Sequence, residues 1–543
     1  MTGEQNGADL LVECLEAAGI EVIYGIPGEE NTDLMMALDA SSIRFVLTRH
    51  EQGAAFMASV YGRLTGRAAG CLATLGPGAT NLVTGLADAT LDHVPLVAIT
   101  GQASRDRLNL SESHQVVDLD ALMAPVTLFT RTVAAGSDIP QTVADAVHIA
   151  HSAKPGAVHI SLPEDVAAQP VDGSPIALKS IQVDPATDDA VQQLAKTLRA
   201  AEIPLVVAGA EVIRAGAARD VAAFCKAHHL PLATSFMGKG LLEPRDELML
   251  FSMGQPFEDH VDQALAASDC VLALGLDPVE IGPKTLSGEK ERTVLAIAEQ
   301  TPDPDAGWPN QGVLRGRLGE TLEALSEALD GKKWALSKPM VRAREAMRDD
   351  RGSTIEGGET APLLPAHVLR AIEDDLRPDD VVLSGVGTHK MFIARLLAAK
   401  SPGQVIIPNG LAGMGLALPG AIAAAELRSG GRTLAICGDG DFLMNVQEME
   451  TAARLGVAMT VLVWVDGGYG LIEKKQDADR GEHTDLSFGS PDWPSLAKAF
   501  GWGHRGVETL ADLQSALART RRDITPQLIT LPIDYSASVS PNA

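Results

Sequence analysis

The sequence predicts an α/β fold of three doubly wound parallel-sheet domains, and three observations predict it. Short apolar runs alternate with amphipathic stretches along the whole chain, the pattern of repeated strand–helix–strand units. The composition is 45% hydrophobic but only 4% aromatic, and is dominated by Ala, Gly, Val and Leu, as in sheets covered by helices on both faces. At 543 residues the chain has the length of about three domains.

The first domain is expected over 1–170. There EVIYGIPGE, IRFVLTRHE, GCLATLGPGATN, VPLVAITGQ and AVHISLPED read as strands with turns, and stretches such as EQGAAFMASVYGRLTG read as helices between them. The polar stretch near 168–188 (AQPVDGSPIALKSIQVDPATD) reads as a linker. A central domain over 188–332 carries PLVVAGAEVI, LPLATSF, DCVLALGL and RTVLAIA as strands. Residues 335–362, with the charged run SKPMVRAREAMRDDRGSTIEGGETAP, lack strong strand signals and read as a second linker. The third domain, 360–535, carries DVVLSGVG, VIIPNG, TLAICGDG and TVLVWVDGG. No internal sequence repeat is visible, although the three units share an architecture.

Charge and cysteine usage narrow the function classes. The formal charge is −27 and no long Lys/Arg block occurs, which argues against nucleic-acid and anionic-membrane partners. The five cysteines are scattered without a CxxC pair, which predicts buried free thiols in a reducing compartment. The N-terminal stretch has no basic region followed by an apolar run, and no apolar run reaches membrane-spanning length. A cytoplasmic protein is expected.

The densest chemical signal runs from Gly438 to Gly470. Gly438-Asp439-Gly440-Asp441 ends one apolar run, and Val465-Asp466-Gly467-Gly468-Tyr469-Gly470 ends the next. Between them NVQEMETAARLG reads as a helix that Asn445 could cap. In a parallel sheet, strand–helix–strand brings two carboxyl ends together at the edge where ligands bind. Two carboxylates, glycine carbonyls and a helix start make a seat for a hard cation holding a diphosphate. A bare GDG is also a common turn; the paired context gives it weight. That pairing resembles the magnesium and thiamin-diphosphate motif, and the resemblance implies Asp439, Asp466 and the Gly468 carbonyl as metal ligands. The family often has Asn-Asn or Asn-Asp in the second segment; this chain has Val465-Asp466, which keeps the ligand.

Glu51 follows IRFVLTRH and opens the helix EQGAAFMASVYGRLTG. A glutamate in a first helical turn ordinarily complements the dipole. Thiamin diphosphate, however, needs a carboxylic acid beside its aminopyrimidine. A proton shared with the ring nitrogen lets the exocyclic nitrogen deprotonate the thiazolium carbon, and this works best away from water.

GIPGEENTDL, RHEQGAAFMASVYGRLTG, LATLGPGATNLVTGLADATLDHVPLVAITGQ and NGLAGMGLALPGAIAAA resemble the acetolactate synthase branch of the thiamin-diphosphate enzymes. The likeness runs through the first and third units and more loosely through the middle. It implies a pyrimidine-binding, a central and a diphosphate-binding domain. It implies Glu51 as the activating carboxylate, Met414 as the apolar wedge that bends the cofactor, and the Ala412 carbonyl as acceptor for its exocyclic amine. It places Thr388, His389, Gly440 and Asp441 at the diphosphate, and Pro27, Gly28 and Asn81 on the pyrimidine side. For each, an ordinary structural role competes: a core side chain for Met414, a helix-start histidine for His389, plain loop geometry for the glycines and Pro27. The middle domain's first turn, AGAEVIRAGA, lacks the GxGxxG spacing, so FAD is admitted but not favoured.

For substrate choice, His114-Gln115 in SESHQVVD and the segment LGLDPVEIGP resemble the catabolic, flavin-free synthases. Gln115 could bond the reacting adduct or lie in a solvated loop. Where biosynthetic synthases hold a Trp, this chain has Glu473-Lys474-Lys475-Gln476, and Lys475 could meet an anionic acceptor or simply be solvated. The implied reaction is magnesium- and thiamin-diphosphate-dependent decarboxylation of pyruvate and carboligation to a second 2-keto acid, giving 2-acetolactate. A homodimer is the implied minimum unit and a homotetramer the implied assembly; a regulatory subunit is left open. Competing readings are a 2-keto-acid decarboxylase, a flavin-dependent pyruvate oxidase, a carboligase with another acceptor, and a non-catalytic cofactor-binding homologue. The intact Glu51 argues against the last.

Overall fold

Eighteen strands form three six-stranded sheets, every pairing parallel, in a computed structural model that describes residues 5–108, 110, 114–179, 181–254, 259–288, 292–300, 312–352, 359–427 and 430–536. The first sheet comprises β1 (Val22–Gly25), β2 (Arg44–Leu47), β3 (Ala69–Ala73), β4 (Leu96–Gln102), β5 (Phe129–Thr132) and β6 (Ala157–Pro163) in the order β2-β1-β3-β4-β6-β5. The second comprises β7 (Pro204–Ala208), β8 (Leu232–Thr234), β9 (Met249–Ser252), β10 (Cys270–Leu274), β11 (Thr293–Ala298) and β12 (Val313–Arg315) in the order β12-β11-β10-β7-β8-β9. The third comprises β13 (Val381–Ser384), β14 (Val405–Ile406), β15 (Thr433–Gly438), β16 (Thr460–Val465), β17 (Gly503–Gly506) and β18 (Gln527–Pro532) in the order β14-β13-β15-β16-β18-β17. The expected architecture is present in all three domains. The interior strands β3, β4, β6, β7, β10 and β15 are buried along their whole length, which is why they read as continuous apolar runs rather than alternating ones.

The chain divides into two compact units. One holds the first sheet together with residues 410–429 and 442–457; the other holds the second and third sheets. In the first unit the helix Ala417–Leu427 packs on the helix Glu51–Thr65. The Glu51–Thr65 helix starts where His50 Nδ1 accepts from Gln52 N and stops at Gly66, whose φ of 68° only glycine adopts cheaply.

Three sequence readings change. The stretch 335–362 is not all linker, because it contains the helix Lys338–Gly352. Its Met340, Ala343 and Met347 are buried in the central-domain core, an i, i+3, i+7 stripe that the surrounding charges mask. The strands β5, β9, β12 and β17, absent from the sequence reading, are all sheet edges, and β5 and β17 are only partly buried. The interior strand β18 was also missing from it. Finally, the helix after the GDG begins at Glu448 with Gln447 at its N-cap. Asn445 does not cap it; its Nδ2 donates to Gly415 O at 2.9 Å.

All five cysteines are buried and free. No helix among the described residues is long and apolar enough to cross a membrane.

Candidate active site

In the first unit, β2 delivers the chain to Glu51, the first residue of its helix. Its side chain is buried, at 8% exposure. Asn81 Nδ2, from the helix Pro77–Leu91, donates to Glu51 Oε2 at 3.0 Å. One carboxyl oxygen is thus held, and among the described residues Oε1 has no hydrogen-bond partner. A carboxyl in this setting can share a proton with a ring nitrogen while water is kept off. The place is further fixed by Glu448, which is fully buried and accepts from Arg49 N at 3.1 Å and from Thr451 Oγ1 at 2.6 Å. Burial raises its carboxyl pKa, against the pull of those bonds. A Cβ on Gly53 would come 2.7 Å from Glu448 Oε1, so this close approach requires glycine. Sequence reasoning missed Glu448: QEMET reads as any helix start.

The segment from Gly410 to Gly415 belongs to the same unit. Gly410 N donates to Asp92 Oδ1 at 2.6 Å, and the Gly415 carbonyl accepts from Asn445. Between them Ala412 is held at φ 54°, a left-handed conformation that costs a non-glycine residue about 1 kcal/mol. Met414 is only partly buried, unlike an ordinary core side chain. Pro27 and Gly28 follow β1 and are partly buried. Gly28 N donates to Asn31 Oδ1 at 3.0 Å, and a Cβ at Gly28 would collide with Thr74. Gln115 is exposed, sits at φ 58°, and lays its carbonyl over Gly76 at the start of the Pro77–Leu91 helix.

In the second unit, Asp439 and Asp466 each follow the last residue of a strand, β15 and β16, which are neighbours. Asp439 Oδ1 accepts from Gly440 N at 2.8 Å and its Oδ2 from Gly467 N at 2.9 Å. Desolvation raises both carboxyl pKa values, and the Asp439 charge helps push Asp466 up to about 7. Two carboxylates that resist being ionised together are the donor set a divalent cation relieves. No group of three metal-type side chains converges among the described residues. The family resemblance implies the Gly468 carbonyl, in the turn that follows Asp466, as a third ligand, and a backbone oxygen suits a hard cation. These residues fit magnesium.

Thr388 and His389 open the helix Thr388–Leu396 beside this pair. A Cβ on Gly470 would stand 3.3 Å from Asp466 Oδ2 and 3.5 Å from Thr388 Oγ1. The start of this helix, whose N-cap Gly387 makes no side-chain cap, is where backbone N–H groups can meet a phosphate. His389 is buried, which together with the Lys390 charge lowers its pKa to about 3. Neutral at working pH, it accepts from Gly438 N through Nε2 at 3.3 Å, so it braces the GDG strand end. Asp441 Oδ1 accepts from Val386 N at 2.9 Å, and a Cβ at Gly385 would collide with the same carboxyl. Gly440 lies against the Tyr469 and Phe488 rings, 3.1 Å from where its Cβ would be. Lys475 is 72% exposed and pairs with Asp479 at 2.9 Å, one turn along its own helix. An ion pair this exposed is weak.

The central sheet, numbered from its own first strand, has the order 3-2-1-4-5-6 of dinucleotide-binding domains, with its switch point between β7 and β10. A side chain stands there. Glu280 accepts from Ala210 N at 3.0 Å, from Asp277 N at 3.1 Å and from Ser235 Oγ at 2.5 Å. A carboxylate thus takes the backbone donor after β7 that a pyrophosphate would need.

Three family models match the chain: the Thiamine pyrophosphate enzyme N-terminal TPP binding domain over residues 5–122, the central domain over 191–325, and the C-terminal TPP binding domain over 385–531. The chain is 31% identical to the catabolic acetolactate synthase of Raoultella terrigena, covering 98% of this chain and 95% of that protein. It is 30% identical to the acetolactate synthase isozyme 2 large subunit of Escherichia coli, over 99% and 97%. It is 29% identical to the acetolactate synthase of Bacillus subtilis, over 99% and 95%.

Proposed function

Because the chain belongs to the acetolactate synthase family of thiamine pyrophosphate enzymes, we propose that it decarboxylates pyruvate and joins the two-carbon unit to a second 2-keto acid, yielding 2-acetolactate from two pyruvates. The observation that carries this reading is Glu51: a buried carboxyl at a helix start, one oxygen held by Asn81 and the other unpartnered among the described residues. When bound, thiamin diphosphate supplies the electron sink for decarboxylation and the carbon that carries the two-carbon unit. Glu51 exchanges a proton with its pyrimidine ring. Asp439, Asp466 and the Gly468 carbonyl hold Mg2+, and Thr388, His389, Gly440 and Asp441 form the diphosphate end. Ala412 accepts from the exocyclic amine, Met414 supports the bend, and Pro27, Gly28 and Asn81 complete the pyrimidine side. Gln115 faces the reacting substrate from its exposed loop.

A flavin has no part in the proposal, because Glu280 already takes the Ala210 N–H at the central switch point. The proposed setting is cytoplasmic, with a homodimer as the smallest active assembly and the boundaries 1–170, 188–332 and 360–535 for the three domains. The stoichiometry of carbon dioxide tests the reaction class. With pyruvate alone as substrate, the account expects one carbon dioxide per two pyruvates consumed and no oxygen uptake. One per pyruvate would indicate a simple decarboxylase, and oxygen uptake an oxidase; either would overturn the proposal.

A further inference from the structure

The helices that present Glu51 and Asn81 meet again at their far ends, and there they carry a buried ion cluster that the reaction does not explain. Arg63, Asp88 and Asp92 are 5%, 0% and 5% exposed. Arg63 Nη2 lies 2.8 Å from Asp88 Oδ2 and 2.8 Å from Asp92 Oδ2. The other oxygen of Asp92, Oδ1, accepts from Gly410 N. Gly410 sits so close to the end of the Pro77–Leu91 helix that a Cβ there would come 2.6 Å from Leu91 Cβ and 2.8 Å from its backbone carbonyl. Two residues on is Ala412 at its left-handed φ, and two more bring Met414.

A buried ion pair is a poor way to gain stability, since well-packed apolar groups of the same volume do as well or better. What it offers is one geometry. Arg63 stands three turns from Glu51 along one helix, about 18 Å at 1.5 Å per residue, and Asp92 follows the helix that carries Asn81. One end of this helix pair therefore sets the Glu51 carboxyl, and the other sets the start of the segment that bears Ala412 and Met414.

We propose that Arg63 and Asp92 are positioning residues: through the Gly410 N–H they fix Ala412 and Met414 in register with Glu51, so that the amine acceptor, the wedge and the proton-exchanging carboxyl meet one cofactor in a reactive shape. This rests on the functional reading above. The pair touches neither substrate nor cofactor, and its effect falls on cofactor activation rather than on pyruvate binding.

The test uses the full chain loaded with thiamin diphosphate and Mg2+, and follows exchange of the thiazolium C2 proton by quenched-flow NMR. Asp92 accepts from Arg63 and from Gly410 through different oxygens; an Asn has one acceptor oxygen and must turn its NH2 toward one of them. Asp92→Asn should therefore slow C2 exchange and kcat about tenfold at saturating cofactor, with KM for pyruvate and cofactor affinity within about threefold of wild type. Arg63→Lys, which keeps the charge but loses the planar fork, should show a smaller effect of the same kind and decides the matter if Asp92→Asn does not fold. Folded, cofactor-loaded variants that exchange C2 at the wild-type rate, with loss confined to thermal stability, would overturn the proposal. If the wild-type protein itself fails to bind thiamin diphosphate, the functional reading falls, and this one with it.

Discussion

Glu51 combines a buried position, a helix start and a single defined partner, and each of these has a chemical consequence. Burial keeps water from competing for its proton, the helix start fixes its direction, and Asn81 restrains one oxygen while the other has no hydrogen-bond partner among the described residues. Glu51→Gln keeps the shape and the bond to Asn81 but cannot exchange a proton. The variant should bind thiamin diphosphate and Mg2+ with affinity within about threefold of wild type, and should exchange the thiazolium C2 proton at least about 100-fold more slowly. Wild-type exchange in that variant would remove Glu51 from the chemistry. The placement of Glu51 at a helix start and of Asp439 and Asp466 at strand ends was legible in the sequence. Their supports were not. Glu448, Arg63 and Asp92 act through partners distant in the chain, and nothing local marks QEMET or GRLTG as holding a carboxylate or an arginine fork. Lys475, read from sequence as either meeting an acceptor or being solvated, is exposed and pairs with Asp479 one helical turn away.

At the level of elements, interior strands were legible because burial on both faces leaves them uniformly apolar, while the edge strands β5, β9, β12 and β17 carry no such mark. The helix Lys338–Gly352 was hidden by its own charges, and its buried end shows what those charges do. Arg351 donates to Leu396 O at 2.8 Å and pairs with Glu373 at 2.5 Å, while Lys239 Nζ donates to Leu397 O at 2.8 Å. Two cations thus cap the carboxyl end of the Thr388–Leu396 helix, where the dipole favours them. The cost falls on Lys239, which burial, with the Arg351 charge, lowers to about 7. The unfolded chain holds that proton up to about pH 10.4. Between the two values the unfolded state binds more protons, so this lysine's contribution to stability rises with pH across the window and is lowest below pH 7. Lys239→Met should therefore stabilise the fold at pH 6, by about 2 kcal/mol after the lost hydrogen bond is set against the relieved charge. The gain should shrink through the window, cross zero at about pH 8.5 and become a loss by about pH 10, where only the missing hydrogen bond remains. Thermal unfolding of both proteins at pH 6, 8 and 10 checks this, and an equal gain at every pH would contradict it.

Across the whole molecule, the first and third sheets share one strand order, 2-1-3-4-6-5 when each is numbered from its own first strand. No sequence repeat announces this. Parallel strands need only apolar runs of the right length, so the same topology can be written in unrelated residues. The central sheet has a dinucleotide-binding order, and at its switch point Glu280 accepts from the Ala210 N–H, an observation that argues against a flavin there without deciding it from the fold. The chemistry proposed for this chain is the joining of two pyruvates at a thiamin diphosphate. Purified protein supplied with thiamin diphosphate, Mg2+ and 13C-labelled pyruvate, followed by NMR, tests it most directly. The account predicts 2-acetolactate labelled in both of its pyruvate-derived parts and no free acetaldehyde; acetaldehyde or acetate without acetolactate would contradict it.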